Sequence, residues 1–150
     1  MSNITISKVN INDISIINEL DKLNFTYDSY NINTLKKYID DKNILFLKVC
    51  IENLFIGYCI VLLTKPEAEL LKICIDVQYR NKGFAKFLLN YVLNYLKINN
   101  FSVLYLEVRS DNYNAIKLYK NYNFIEYNIR YNYYKNPNCD AKLYKKIIVG

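Results

Sequence analysis

Residues 70–96 read LLKICIDVQYRNKGFAKFLLNYVLNYL. An apolar run ends at Asp76 and a polar turn follows. From Phe84, apolar side chains return at 84, 87, 88, 91, 92, 95 and 96, the spacing of one helix face. The stretch predicts strand, turn, helix. The turn holds Arg80, Asn81, Lys82 and Gly83, and Gly83 is one of only three glycines in 150 residues. A chain so sparing with glycine places one where backbone takes an unusual dihedral or comes close to another group. N–H groups at a helix start lack intrahelical acceptors and sit at the positive end of the dipole, so this turn predicts a phosphate site and a diphosphate-bearing cofactor.

Upstream, Ile44–Ile51 and Leu54–Leu63 are apolar runs separated only by Glu52 and Asn53, the spacing of a tight hairpin. With Glu67–Asp76 they make three consecutive strands. Earlier still, Ile4–Val9 alternates as a short strand, Asn12 or Asp13 is placed to cap a helix carrying Ile14, Ile17, Leu20 and Leu23, and a second helix covers about 32–40. Between the helices lies an aromatic loop, NFTYDSYN, at 24–31. Downstream, SVLYLEVR at 102–109 alternates, with Val103, Tyr105, Glu107 and Arg109 on one face. A carboxylate in mid-strand is paired or faces a cleft where it is used. Asp111 or Asn112 caps a further helix that sets Asn112 and Tyr119 on one side, Phe124–Arg130 is a strand, 131–139 a Tyr-rich connection, and Ala141–Val149 a last strand.

At this length, with 52% hydrophobic residues, one globular domain spanning residues 1–150 is expected. No apolar run reaches the ~20 residues of a membrane span, and MSNITISKVN lacks a signal-peptide core, so a cytoplasmic protein without membrane contact is expected. The net charge of +6 comes from scattered lysines, which does not favour nucleic acid. With no histidine and no C-x-x-C pair among four cysteines, zinc sites and His-based triads have no residues to build on, no metal is expected, and Cys50, Cys59 and Cys74 read as buried thiols. Acid–base chemistry falls to Glu, Asp, Tyr, Lys or water. Only three of the 20 basic residues are Arg, at 80, 109 and 130, so each is a candidate for a role that Lys fills poorly.

Arg80-x-x-Gly83-x-Ala85, after a strand and opening a helix, resembles the acyl-CoA pyrophosphate loop of the Gcn5-related N-acetyltransferase (GNAT) superfamily. Alone the pattern is weak. It is joined by Glu67-Ala68-Glu69-Leu70-Leu71 before it, Leu106-Glu107-Val108-Arg109 after the helix, Asn112, Ala115, Leu118-Tyr119 and Phe124 beyond, and Arg130-x-Asn132-Tyr133-Tyr134 with Asp140-Ala141. That ordered set, from about Gly57 onward, resembles the RimI-type ribosomal-protein-alanine acetyltransferases and is similar to the catalytic subunits of N-terminal acetyltransferases. Val77 stands where the family usually has Pro, Ala85 replaces the second loop glycine, and Tyr122-Asn123 replaces Leu-Gly, where Asn is the residue after Gly that best tolerates a left-handed helix end.

The resemblance implies an α/β GNAT fold: a mixed, mostly antiparallel sheet of six to seven strands with about four helices, in the order β-α-α-β-β-β-α-β-α-β-β. It implies acetyl-CoA as cosubstrate, held by the strand edge Ile73, Cys74 and Ile75, by the turn Arg80, Asn81, Lys82, Gly83, Phe84, Ala85 and Lys86, and by Asn112. Glu107 matches the general base and Tyr119 the general acid; on the residues alone, an ion pair with Arg109 and a core tyrosine are the plain alternatives. Phe25, Tyr27 and Tyr30 match an aromatic loop beside a peptide's first residue, Tyr133 and Tyr134 a hairpin closing over its backbone, and Glu69 an attractor for the ammonium or a surface partner of lysine. The expected activity is acetylation of a protein's N-terminal α-amine, a ribosomal protein among the candidates, by a monomer. Acetylation of a small-molecule amine and a non-catalytic acyl-CoA-binding module stay open.

Overall fold

In the computed structural model, which describes residues 3–25 and 28–148, seven strands form one sheet in the order β1-β2-β3-β4-β5-β7-β6. β1 (Ile4–Lys8), β2 (Ile44–Ile51), β3 (Leu54–Thr64) and β4 (Glu67–Ile75) are antiparallel neighbours. β5 (Val103–Arg109) joins β4 in parallel, and β7 (Cys139–Ile147) inserts between β5 and β6 (Ile125–Tyr134), antiparallel to both. Four helices, α1 (Ile14–Asn24), α2 (Ile32–Asp40), α3 (Phe84–Ile98) and α4 (Tyr113–Asn121), complete the expected order. No helix among the described residues is long and apolar enough to cross a membrane.

The apolar runs of β2 and β3 serve two cores, one on each sheet face. Leu45, Leu47, Val49, Cys59 and Val61 pack with Leu88, Leu89, Val92 and Leu96 of α3, while Phe46, Tyr58 and Ile60 pack with Ile14, Ile17 and Leu20 of α1 and Leu35 of α2. Glu52 and Asn53, at φ of 49° and 67°, form the tight hairpin their spacing predicts.

One local expectation is refined and two need correction. Asp13 stands at the N-cap of α1 as expected but makes no side-chain capping bond there; its carboxylate accepts the N–H of Asn10, which caps the short 3-10 turn leading into the helix. Leu23 is 78% exposed, because nine residues from Ile14 places it on the opposite side of the helix; the buried position at i+7 is Asp21. β6 continues through Tyr131–Tyr134, which reads as a loop in sequence; a register shift between Arg130 and Tyr134, with Asn132 at φ 52°, carries the irregularity.

Two features position the site. β4 carries an extra residue, Leu71, since Ile60 pairs with Lys72 but Val61 with Leu70. At that bulge β4 parts from β5: the two pair only through Glu67–Leu70 and Val103–Leu106, after which β4 pairs with β3 alone and β5 with β7 alone. The sheet therefore opens as a wedge toward the carboxyl ends of both strands, where α3 and α4 begin.

Candidate active site

One lip of the wedge is the β4 edge Ile73–Ile75, whose β5-facing side has no strand partner. Gly57 lies behind it. A Cβ there would stand 2.6 Å from the Cys74 carbonyl oxygen and 2.6 Å from Ile75 Cδ1, so only glycine lets β3 hold this edge in register. Burial pushes the Cys74 thiol up to about 11, keeping it an unreactive neutral group.

The turn after β4 takes the left-handed conformation twice, at Asn81 (φ 61°) and Gly83 (φ 89°). The first α3 bond runs from Phe87 N–H to Gly83 O at 3.0 Å, leaving the N–H groups of Phe84, Ala85 and Lys86 without intrahelical acceptors. A Cβ on Gly83 would meet nothing within 4 Å, so the space before these donors is open, and Lys82 and Lys86 are exposed beside it. Unpaired backbone donors of this kind suit an anion. Arg80 is not part of that cradle: its Nε donates to Ile75 O at 2.9 Å, its guanidinium bonds Asn24 Oδ1, and its N–H bonds Val77 O. Its side chain ties the end of β4 to the end of α1. Asn112 is exposed at the start of α4, where Oδ1 accepts the Ala115 N–H at 3.2 Å.

Glu107 is half-buried on β5, with Oε1 3.2 Å from Arg130 Nε. The expected alternative partner, Arg109, is engaged elsewhere: it bonds Asp111 at 3.2 Å and the carbonyls of Lys135 and Pro137, and lies 5.1 Å from the Tyr134 ring. Glu69, on β4 opposite Tyr105, joins Glu107 and Arg130 in lining a cavity of about 260 Å³ with Thr64, Glu67 and Tyr105. Burial, and then the charge of Glu107, hold the Glu69 carboxyl above the usual range, with Arg130 opposing. Three carboxylates against one guanidinium make this a place for a cation.

Tyr119 is buried, and burial raises its phenol far above the ordinary range, so it keeps its proton at any working pH. Its place is set by the end of α4. Asn123, at φ 63°, lets Phe124 N–H bond Tyr119 O and Asn123 N–H bond Lys120 O, closing the helix with the Tyr119 and Phe124 rings 5.5 Å apart. Asn123 is thus the left-handed cap its sequence position predicts. Tyr134, raised to about 12 by burial and then by Glu107, lies near enough to both Glu107 and Tyr119 to feel one and shift the other.

A second cavity, of about 250 Å³, separates the α1–α2 connection from the β6–β7 turn and is lined by Asn24, Phe25, Asp28, Arg109, Asp111 and Pro137. Of the two aromatic segments, only Phe25 lines this cavity; the far side is formed by Asn136 and Pro137 rather than by Tyr133 or Tyr134. Phe25 borders the cavity, whereas Tyr30 turns inward, onto Lys72 (4.1 Å) and edge-on to Tyr38 (5.5 Å). Tyr133 and Tyr134 stack at right angles, 5.1 Å apart, with Arg130 5.6 Å from the Tyr133 ring. Tyr27 lies outside the described residues. Sequence reasoning passed over Arg130 as the partner of Glu107, and over Asp21 and Lys72, whose only signal is a charge interrupting an apolar helix face and an apolar strand.

A splayed mixed sheet, unpaired backbone donors at its mouth and an acidic pocket beside it define the N-acetyltransferase class, and the chain belongs to the Acetyltransferase (GNAT) family, which matches residues 14–124. It is 36% identical over 102 residues, 68% of this chain and 63% of the relative, to the ribosomal protein bS18-alanine N-acetyltransferase of Haemophilus ducreyi. To the enzyme of that name from Haemophilus influenzae it is 37% identical over 109 residues, 73% of each. The crystal structure of the ribosomal-protein-S18-alanine N-acetyltransferase from Escherichia coli superposes with a TM-score of 0.89 over 99% of this chain and 96% of that one, at 25% identity.

Proposed function

We propose that this chain moves the acetyl group of acetyl-CoA onto the N-terminal α-amine of a protein, with the alanine end of a small-subunit ribosomal protein as the acceptor that its relatives favour. The observation that carries the reading is the pairing of Glu107 with Arg130 in an acidic cavity beside the wedge, together with a buried Tyr119 on α4 that is protonated at working pH. An arriving ammonium replaces the Arg130 guanidinium as counter-charge to Glu107. Glu107, directly or through one water, takes the proton that makes the amine nucleophilic. The N–C bond forms at the thioester carbonyl as the C–S bond breaks; the nitrogen sheds its second proton to water, and the departing thiolate takes the Tyr119 proton, which water then restores to the phenol. The N–H groups of Phe84, Ala85 and Lys86 hold the diphosphate, Asn112 adds a side-chain contact, and the Ile73–Ile75 edge aligns the pantetheine arm.

The test is thiol release from acetyl-CoA with a panel of short peptides. Peptides beginning with Ala, Ser or Met should be acetylated, those beginning with Asp or Lys poorly, and an N-blocked peptide carrying internal lysines not at all. Equal rates whatever the first residue, or turnover with polyamines or aminoglycosides alone, overturns the α-amine reading.

A further inference from the structure

Lys72 interrupts the apolar run of β4, and its side chain is only 6% exposed. Its ammonium has four partners: Asp21 Oδ1 at 2.6 Å, the Asp28 carbonyl oxygen at 2.7 Å, and the rings of Phe25 and Tyr30 at 4.4 and 4.1 Å. All four belong to α1 or to the connection that follows it. Asp21 is fully buried and closes the network, accepting from the Tyr58 hydroxyl and the Tyr30 N–H at 2.6 Å each. Burying an ammonium is costly, as its lowered pKa, caused first by desolvation, reflects. An apolar side chain would serve the core at least as well, so the charge is explained by what it grips.

What it grips is one wall of the second cavity, to which Phe25 and Asp28 both contribute. The strand from which it reaches continues directly into the Ile73–Ile75 edge. Arg80 repeats the connection a turn later, from Ile75 O to Asn24. The acceptor wall is thereby referenced to the strand proposed to align the thioester, with Tyr58 of β3 bracing Asp21 from behind.

We propose that Lys72 is a positioning residue for the acceptor. Through Asp21, Asp28, Phe25 and Tyr30 it fixes the α1–α2 connection at the distance from β4 that an extended peptide end requires. The inference rests on the α-amine reading above, and two measurements keep them apart. Lys72→Met removes the clamp, and the double variant Asp21→Asn/Lys72→Met removes both charges together, so that no unpaired carboxylate is left buried. In both, KM for an Ala-initiated peptide should rise about tenfold with kcat within about threefold and CoA affinity within about twofold, the pattern of lost acceptor positioning. Hydrogen exchange of the segment between α1 and α2 should quicken at least about tenfold while β2 and β3 are unchanged. An unchanged peptide KM in an active enzyme, or exchange that quickens equally across all segments, overturns the proposal. If the wild type modifies no peptide, the α-amine reading fails and the exchange pattern alone decides whether the clamp exists.

Discussion

Glu107 has a guanidinium 3.2 Å away, and in the proposed reaction it also takes the proton of an incoming amine. Glu107→Gln keeps the volume and a hydrogen bond to Arg130 but cannot take a proton, so kcat should fall roughly 10²-fold while CoA affinity, measured by calorimetry, holds. In the wild type the rate should rise with pH as the acceptor amine deprotonates. Tyr119 imposes no falling limb in the working range, because burial keeps its proton on. Wild-type turnover in the Gln variant across that range would make Glu107 structural. At this scale the sequence was readable at Asn123, whose tolerance of a left-handed helix end spoke for it. It was opaque where a partner came from a distant strand. Arg130 comes level with Arg109 across the small Ala141, and only the insertion of β7 between β5 and β6 creates that row.

The turn from Arg80 to Gly83 shows what an element contributes beyond its residues. Gly83 is held at φ 89° with open space in front of it, so a side chain there meets no protein atom and obstructs only what enters that space. Gly83→Val should weaken CoA binding at least tenfold, or about 1.4 kcal/mol, through backbone strain and loss of close approach. Unchanged affinity in a folded variant would move the diphosphate elsewhere. Elements with a clean period were legible to within a residue or two: β2 and α2 match their expected limits, and α3 begins where expected, at Phe84. The exceptions share a cause. Asn takes the left-handed corners, at 53, 81, 100, 123, 132 and 136, in a chain with three glycines. A corner written as Asn inside Tyr-rich sequence, as at Asn132, does not announce whether a strand bends or stops.

Across the whole molecule, the β2-β3-β4 meander followed from the hairpin and the periodicities and the resemblance implied a mixed sheet, but the parallel pairing with β5 and the insertion of β7 were not legible, since nothing local encodes a contact between distant strands. Those two facts make the wedge. They also leave the sheet as a plate cracked most of the way through: among the described residues, the four facing pairs of Glu67–Leu70 with Val103–Leu106 and the adjacent Ser102 N–H to Pro66 O bond join the β1–β4 half to the β5–β7 half along their common edge. A ligand seated between the lips works as a rivet. At saturating CoA, amide exchange at those pairs should slow by more than it does in the β1–β2 pairing, far from the crack. Uniform slowing over the whole sheet would mean that the halves never part. The opening between the lips is then also the line along which the empty sheet should give way first, and a molecule that fills it would serve as a mechanical component of the fold.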